Sequence, residues 1–438
     1  MSRVKYAVCI SFVLSVFCSC TSFSTPEPRD VPEDFFGIAP FDGHELAEKD
    51  YAVTNDLGAV WFRRTFNWSR IEPNKGNWDF SSFDKFIGDA NEQGKKIVAI
   101  LAYNPDWLYE NGRKYYIGSD RLNDYLNYVE QVVIHYKGKI TAYEIWNEPN
   151  GLFWKGSIDE FAELTKAAAK KIRQIDPDAT ILAGSFFRTP DLWLNRMFKK
   201  GAFDDVDAIS MHPYAVTPLS TMKVYDNFAA VCKKNNWTKD IWITEVGYPT
   251  SGWYPARVSL DKYPTYIVQT LSGLAARGAR VFMWYELFDE YVPGKEKSKF
   301  DSEDFFGLIY PDFSYKKGAY AYALCEKILA GTTYSPDKLN ADRPKSMEAL
   351  YFIRQDAEGN FINSLIMWST VKRTITVSAN AGMYKLYDID SGNFTEISGS
   401  MGITVTAKPV VLQWDSRIPN NSVIISDKKF AKAVHGLK

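Results

Sequence analysis

The segment Tyr143-Glu144-Ile145-Trp146-Asn147-Glu148-Pro149-Asn150 sets two amides and a carboxylate directly after a short apolar run, Ile140 to Ala142. A strand interior is buried and apolar, so a polar cluster just beyond one belongs at the carboxyl edge of a sheet. In barrels of parallel strands, that edge carries the chemistry. A second carboxylate in the same setting, Glu245 in Trp242-Ile243-Thr244-Glu245-Val246-Gly247-Tyr248, comes 97 positions later. Two acids at the ends of separate strands can divide the cleavage of a glycosidic bond. One protonates the departing oxygen and the other stabilises or attacks the oxocarbenium-like sugar carbon. Taken singly, Glu148 has a plainer explanation as a helix-start cap and Glu245 as a surface strand end. The two together, in this order, favour the chemistry.

Eight strand-like runs alternate with amphipathic helices and would hold these acids: Phe36-Ile38, Ala59-Arg63, Lys96-Tyr103, Ile140-Trp146, Thr180-Gly184, Ala208-His212, Ile241-Glu245 and Arg280-Tyr285. Helical periodicity spans Ser81 to Gln93 and Ile158 to Ile175, the latter stopped by Asp176-Pro177. Eight repeats over roughly 300 residues predict an α/β fold, a (β/α)8 TIM barrel over 35–331. No Gly-x-Gly-x-x-Gly or phosphate loop occurs, which disfavours a nucleotide enzyme. From 332 to 416 the period changes to two, with Gly, Asn and Asp turns, and predicts a C-terminal antiparallel β-sandwich that serves as a packing module. Residues 417–438 read as a polar tail, with Asn420-Asn421-Ser422 as a loop and a lysine-rich end that frays.

Residues 1–20 read as an export signal, with Arg3 and Lys5 as its positive start and Ala7 to Phe17 as an apolar run too short to span a bilayer comfortably. Residues 21–34, rich in Ser, Pro and acids, read as a linker. With 438 residues, 46% hydrophobic and 24% charged, the chain can bury a large core. Its net charge is −1, and −3 once Arg3 and Lys5 are removed, which gives no reason to expect a nucleic-acid partner. Of five cysteines, Cys232 and Cys325 fall in separate helix-like segments and read as buried thiols; four histidines without paired ligand spacing predict no metal. No cofactor is expected.

The motif pair resembles the signature of glycoside hydrolase clan A, the retaining enzymes on eight-fold β/α barrels, from about Phe36 to about Leu329. Trp146-Asn147-Glu148-Pro149-Asn150 looks most like family 39 and its neighbours, with family 5 next. The resemblance implies Glu148 as acid/base on strand four and Glu245 as nucleophile on strand seven. Trp61-Phe62-Arg63 with Trp68 and Ile71-Glu72-Pro73 is similar to the clan's second-strand region and implies Arg63 as the partner of the nucleophile. Arg64 stands beside it, but period-two alternation admits only one of the two into the barrel. By the same likeness Asn147 would donate to the sugar 2-hydroxyl, His212 and Tyr214 would orient the nucleophile and line the subsite, and Trp284 would be the platform under the reacting sugar. Trp154 and Trp253, with Trp107 and Tyr254, fall in loops at the same mouth and read as sugar contacts. Glu286, Asp289 and Glu290 read as a solvated acidic loop. Ser19-Cys20 resembles a bacterial lipoprotein cleavage point, implying a lipidated Cys20 and an exported protein whose only tie to a membrane is that lipid; ordinary secretion is the alternative.

The implied function is retaining hydrolysis of a β-linked oligo- or polysaccharide. Transglycosylation shares its first half-reaction, and a sugar-binding barrel without chemistry shares its pocket. Fold alone does not choose the sugar.

Overall fold

A computed structural model describes residues 27–40, 46–109, 113–290, 301–341, 346–379, 381–398, 402–417 and 423–427. Cys20 and the export signal lie outside the described residues, as do 418–422 and 428–438. Among the described residues, no helix is long and apolar enough to cross a membrane.

Eight parallel strands close on themselves: β1 (Phe36–Ile38), β2 (Trp61–Thr65), β3 (Lys96–Leu101), β4 (Ala142–Ile145), β5 (Thr180–Phe187), β6 (Ala208–His212), β7 (Asp240–Val246) and β8 (Phe282–Trp284). β1 pairs with both β2 and β8, which completes the barrel. Helices cover its outside. Ile158–Ile175 begins at a capping box in which the Ser157 hydroxyl accepts from the Glu160 N–H and the Glu160 carboxylate reaches back to the Ser157 N–H.

Strand alternation sorts the side chains into layers. Trp61, Val98, Ala142, Leu182, Ala208, Trp242 and Met283, one from each of β2 to β8, form an apolar cluster of their own inside the barrel. Trp61 and Trp242 meet edge to face at 5.0 Å. β1 contributes Gly37, where a Cβ would stand 2.7 Å from the Trp61 Cβ, so a glycine makes room for the indole. Two residues further along β2, β4 and β7, on the same inward face, come Arg63, Glu144 and Thr244. An apolar floor thus carries a polar layer, and the acids stand above it. Arg64 points the other way, its guanidinium 4.8 Å above the Phe86 ring of the covering helix Ser81–Glu92.

The C-terminal region forms two sheets, as expected of a sandwich. The larger contains Met347–Gln355, Phe361–Ser369, Val410–Ser416, Met383–Tyr387 and Phe394–Ser398; the smaller contains Leu339–Ala341, Val423–Asp427, Arg373–Ser378 and Gly402–Val405. Tyr351, Leu365, Met367, Ile375, Trp414, Val423 and Ile425 fill the space between them. The opposite face of the larger sheet, through Leu350, Phe352, Ile366, Trp368 and Val411, joins the core of the barrel.

Both ends of the sequence reading need correction. Arg29–Asp30, placed in a linker, pairs antiparallel with Thr333–Tyr334 and extends the larger sheet, and Val31 and Phe35 are buried. Val423–Asp427, placed in a polar tail, pairs with Arg373–Ser378 and Leu339–Ala341. In each stretch, apolar residues are few and flanked by polar neighbours. Their strand character comes from the partner that covers them. Cys232 and Cys325 are free and buried, as read.

Candidate active site

Arg63 is the hub of the polar layer. Its Nε donates to Glu144 Oε2 at 2.7 Å, Nη1 to Glu245 Oε2 at 2.9 Å, and Nη2 to Asn147 Oδ1 at 2.8 Å and Ser185 Oγ at 3.1 Å. A guanidinium can only donate, so the Asn147 amide oxygen must face it. Asn147 Nδ2 then points the opposite way, to Tyr103 OH at 2.9 Å. Tyr214 OH donates to the other oxygen of Glu245, Oε1, at 2.7 Å. Both oxygens of Glu245 are therefore held by donors.

The end of β4 turns sharply. Trp146 has φ +72° and Glu148 φ +44°, left-handed values that cost a non-glycine residue on the order of 1–2 kcal/mol. The turn is fastened by the Glu148 N–H donating to the Ser185 carbonyl at 3.0 Å. Such strain persists where surrounding contacts over-determine it, and here it aims Glu148 into the mouth.

Glu148 Oε1 lies 2.8 Å from His212 Nδ1, and His212 Nε2 lies 3.2 Å from Thr244 Oγ1. The Thr244 hydroxyl gives its hydrogen to Glu144 Oε1 at 2.8 Å. Having one hydrogen, it can only accept from His212, so Nε2 carries the imidazole proton and Nδ1 is a lone pair. The hydrogen between His212 and Glu148 must then belong to Glu148. The titration shifts agree. Burial raises the Glu148 carboxyl to about 7 against a smaller opposing pull from Arg63, and burial lowers His212 to about 4. The site is built to hold a proton on one carboxyl while a guanidinium holds the other as an anion.

This chain of bonds predicts a pH effect. In Thr244→Val, Nε2 loses its acceptor, so the Nδ1–H tautomer becomes competitive and donates to Glu148. A hydrogen bond to the charged form favours it. The alkaline limb of kcat/KM, expected near pH 7 where Glu148 loses its proton, should move to lower pH. Thr244→Ser should leave it in place. A pH–rate profile of the two variants is the measurement.

The structure brings Arg63, Asn147, Glu148, His212, Tyr214 and Glu245 together, but three tryptophans read as sugar contacts fare differently. Trp284 is fully buried, with its Nε1–H 3.2 Å from Tyr263 OH of a covering helix. Met283 faces the barrel interior, so Trp284 must face outward; the expectation of a platform is off by one residue. Tyr285 sits on the mouth side instead, its OH 3.5 Å from Glu303 Oε2. Its phenol pKa is held well up by burial and then by the charges of Glu286, Glu303 and Glu245. Trp154 is buried, donating to the Ser157 carbonyl at 3.1 Å and packing edge-on against Trp146 at 5.3 Å, so it braces the loop. Trp253 stays at the rim, 50% exposed beside Tyr254. The loop after β8 is not simply solvated. Glu286 is fully buried and Asp289 pairs with buried Lys316 at 2.6 Å.

Sequence reading passed over Glu144, Ser185, Thr244 and Tyr103. Glu144 and Thr244 precede the two acids by four residues and one, and a polar side chain at an interior strand position was the signal available. Glu148, His212 and Glu245 also offer three ligand atoms within 4.8 Å of one another, a spacing that could hold a metal. Hydrogen bonds to one another, Arg63, Thr244 and Tyr214 account for these groups without one.

The model of the family described as Cellulase (glycosyl hydrolase family 5) matches residues 31–285, more than half of the chain. Among curated proteins, an endo-1,4-beta-xylanase A of Phanerodontia chrysosporium is 26% identical over 165 residues, 35% of this chain and 40% of its own length. A beta-1,4-xylanase of Dictyoglomus thermophilum is 23% identical over 175 residues, 37% and 48%. The match thus spans less than half of either relative. A family 39 glycoside hydrolase from Bacteroides cellulosilyticus WH2 superposes with TM-score 0.70 at 19% identity, over 87% of this chain and 81% of that one. A monomeric beta-xylosidase from Caulobacter crescentus CB15 superposes with TM-score 0.62 at 15%, over 89% and 98%. At these identities the likeness shows a shared fold, barrel and sandwich alike. The second of the two families read from the sequence is the one whose model matches, and the first is among the families of the similar solved structures. The chain belongs to the cellulase family, glycosyl hydrolase family 5, within clan A.

Proposed function

We propose that the protein is a retaining glycosidase that cleaves β-linked, xylan-type oligo- or polysaccharides by double displacement. The observation that carries the mechanism is that Glu148 and Glu245 each present an oxygen within 4.8 Å of the other. That is near the roughly 5 Å spacing of retaining carboxyl pairs and short of the 6.5–9.5 Å that admits a water between them. Glu148 gives its proton to the departing oxygen while Glu245, held by Arg63 and Tyr214, attacks the anomeric carbon. Water then resolves the glycosyl ester, with Glu148 as base. Asn147 Nδ2, fixed in orientation by Arg63, donates to the sugar 2-hydroxyl. The xylan class is supported by the curated relatives, which are xylanases. An export signal with lipidation at Cys20 would place the enzyme where it meets such polymers.

Proton NMR of the first-formed product should show retained anomeric configuration, and a mechanism-based fluorosugar should label Glu245. An inverted first product would overturn the reading.

A further inference from the structure

Beside the pair of acids lies a cavity of about 180 Å³, lined by Phe187, Arg188, Tyr214, Val216, Ser220 and Tyr254 among others. It would hold about six waters at their liquid volume, the scale of one sugar ring. It shares a wall with the site, because Tyr214, whose ring lines it, donates to Glu245 at 2.7 Å. Its floor is fastened to the same machinery. Asn150, two residues after Glu148, clamps Phe187 by donating to its carbonyl at 2.8 Å and accepting its N–H at 2.9 Å. The Arg188 N–H donates to the His212 carbonyl at 2.9 Å.

Arg188 is the informative residue. Its φ of +57° is unfavourable for a long side chain, and the contacts of its backbone and of Phe187 hold it there. Arg63, Arg196, Arg277, Arg280 and Arg373 each grip a carboxylate. Arg188 has no ion pair or side-chain hydrogen bond among the described residues. An exposed guanidinium on a held backbone, at a concave, aromatic-walled opening, is suited to a planar anion bound by two parallel N–H donors. The Phe187 and Tyr214 rings, 6.3 Å apart and tilted by 32°, offer apolar walls to the C–H faces of a sugar.

We infer that this cavity is a subsite for a uronic acid unit or branch of the polysaccharide, with Arg188 as the partner of its carboxylate. The inference rests on the proposed glycosidase reading and deepens it: the substrate would be an acidic polymer, and Arg188 would be the residue that selects it.

The test compares an acidic xylo-oligosaccharide bearing one uronic acid branch with its methyl ester, which keeps the shape and removes the charge. Wild type should show kcat/KM about tenfold higher for the acid, the scale of one hydrogen bond to a charged group, and the preference should shrink as salt rises. Arg188→Met should abolish the preference while cleaving a neutral chromogenic glycoside as wild type does; Arg188→Lys should keep part of it. Equal rates on acid and ester by a wild type that cleaves neutral substrate would overturn this inference and leave the glycosidase reading standing. If no glycoside is cleaved, the glycosidase reading fails. Calorimetry of Glu148→Gln with acid and ester then still decides the subsite: tighter binding of the acid supports it and equal binding overturns it. Tighter binding of a sulfated oligosaccharide than of the uronic acid would overturn the assignment to a carboxylate.

Discussion

Glu245→Gln should leave no measurable turnover of any glycoside, a loss of more than about 10⁴-fold, while Glu148→Gln should still form the glycosyl ester from aryl glycosides with good leaving groups. The difference follows from the jobs the geometry gives the two side chains. An amide in place of Glu245 cannot form the glycosyl ester, whatever the leaving group, so every substrate is lost. An amide in place of Glu148 cannot supply the proton, which matters in proportion to the basicity of the departing oxygen. For an alkoxide the loss should be about 10²–10⁴-fold. For an activated phenolate, formation of the ester should proceed and its hydrolysis should slow, so a burst of phenolate should precede a slow steady rate. Added azide, which needs no general base, should restore turnover in Glu148→Gln and not in Glu245→Gln. Equal losses by both variants on the activated substrate would remove the assignment.

Arg63→Met is the second large effect, and it should register as lost stability as well as lost rate. Glu144 is fully buried with Arg63 as its cationic partner. Breaking a buried ion pair from one side typically costs about 3–5 kcal/mol, because the remaining charge stays out of water unpaired. A thermal melt should show a drop of many degrees. Glu144→Gln in the same chain should recover part of it, since the amide carries no charge to strand. The rate should fall for a different reason. Glu245 loses the donor at 2.9 Å, the protonated form gains relative to the anion, and the acidic limb of kcat/KM should move to higher pH. Arg64→Met is the control. It gives up the stacking on Phe86, worth about 1 kcal/mol, and should leave the limb where it is. A limb that moves with Arg64 and not Arg63 would contradict the register observed.

Sequence sufficed for the barrel because each of its eight strands carries a dense apolar run whose burial on both faces leaves little choice of structure. Period two over five residues of unbroken strand admits only one of Arg63 and Arg64 to the interior, and it was motif likeness that chose Arg63, whose guanidinium reaches Glu245. At Trp284 the choice of residue rested on likeness and not on parity. There, β7 and β8 pair with a register shift between Ile243 and Val246, and motif likeness alone cannot say which aromatic faces inward. The supporting polar layer was hidden for another reason. Glu144 and Thr244 lie within strands where a polar residue reads as an interruption, and their worth depends on partners from other strands that only closure of the barrel brings together. The short strands at either end, Arg29–Asp30 and Val423–Asp427, had too few apolar residues to declare themselves before their neighbours were known.

The larger sandwich sheet packs against the smaller sheet on one face and against the barrel's core on the other. Such a sheet has no surface to spare. An appendage on a hinge can be cut away at its linker, leaving an intact enzyme behind. Here a cut after 331 would strip a row of apolar side chains, Phe352, Ile366 and Val411 among them, from the core they share with the barrel, and would take the partner of Arg29–Asp30 as well. The catalytic half would be left with an open, adhesive flank. Although the chain reads as two folds in succession, it should melt as one body in a single calorimetric transition, and any effort to shorten this enzyme has to begin by redesigning that flank rather than by choosing a place to stop.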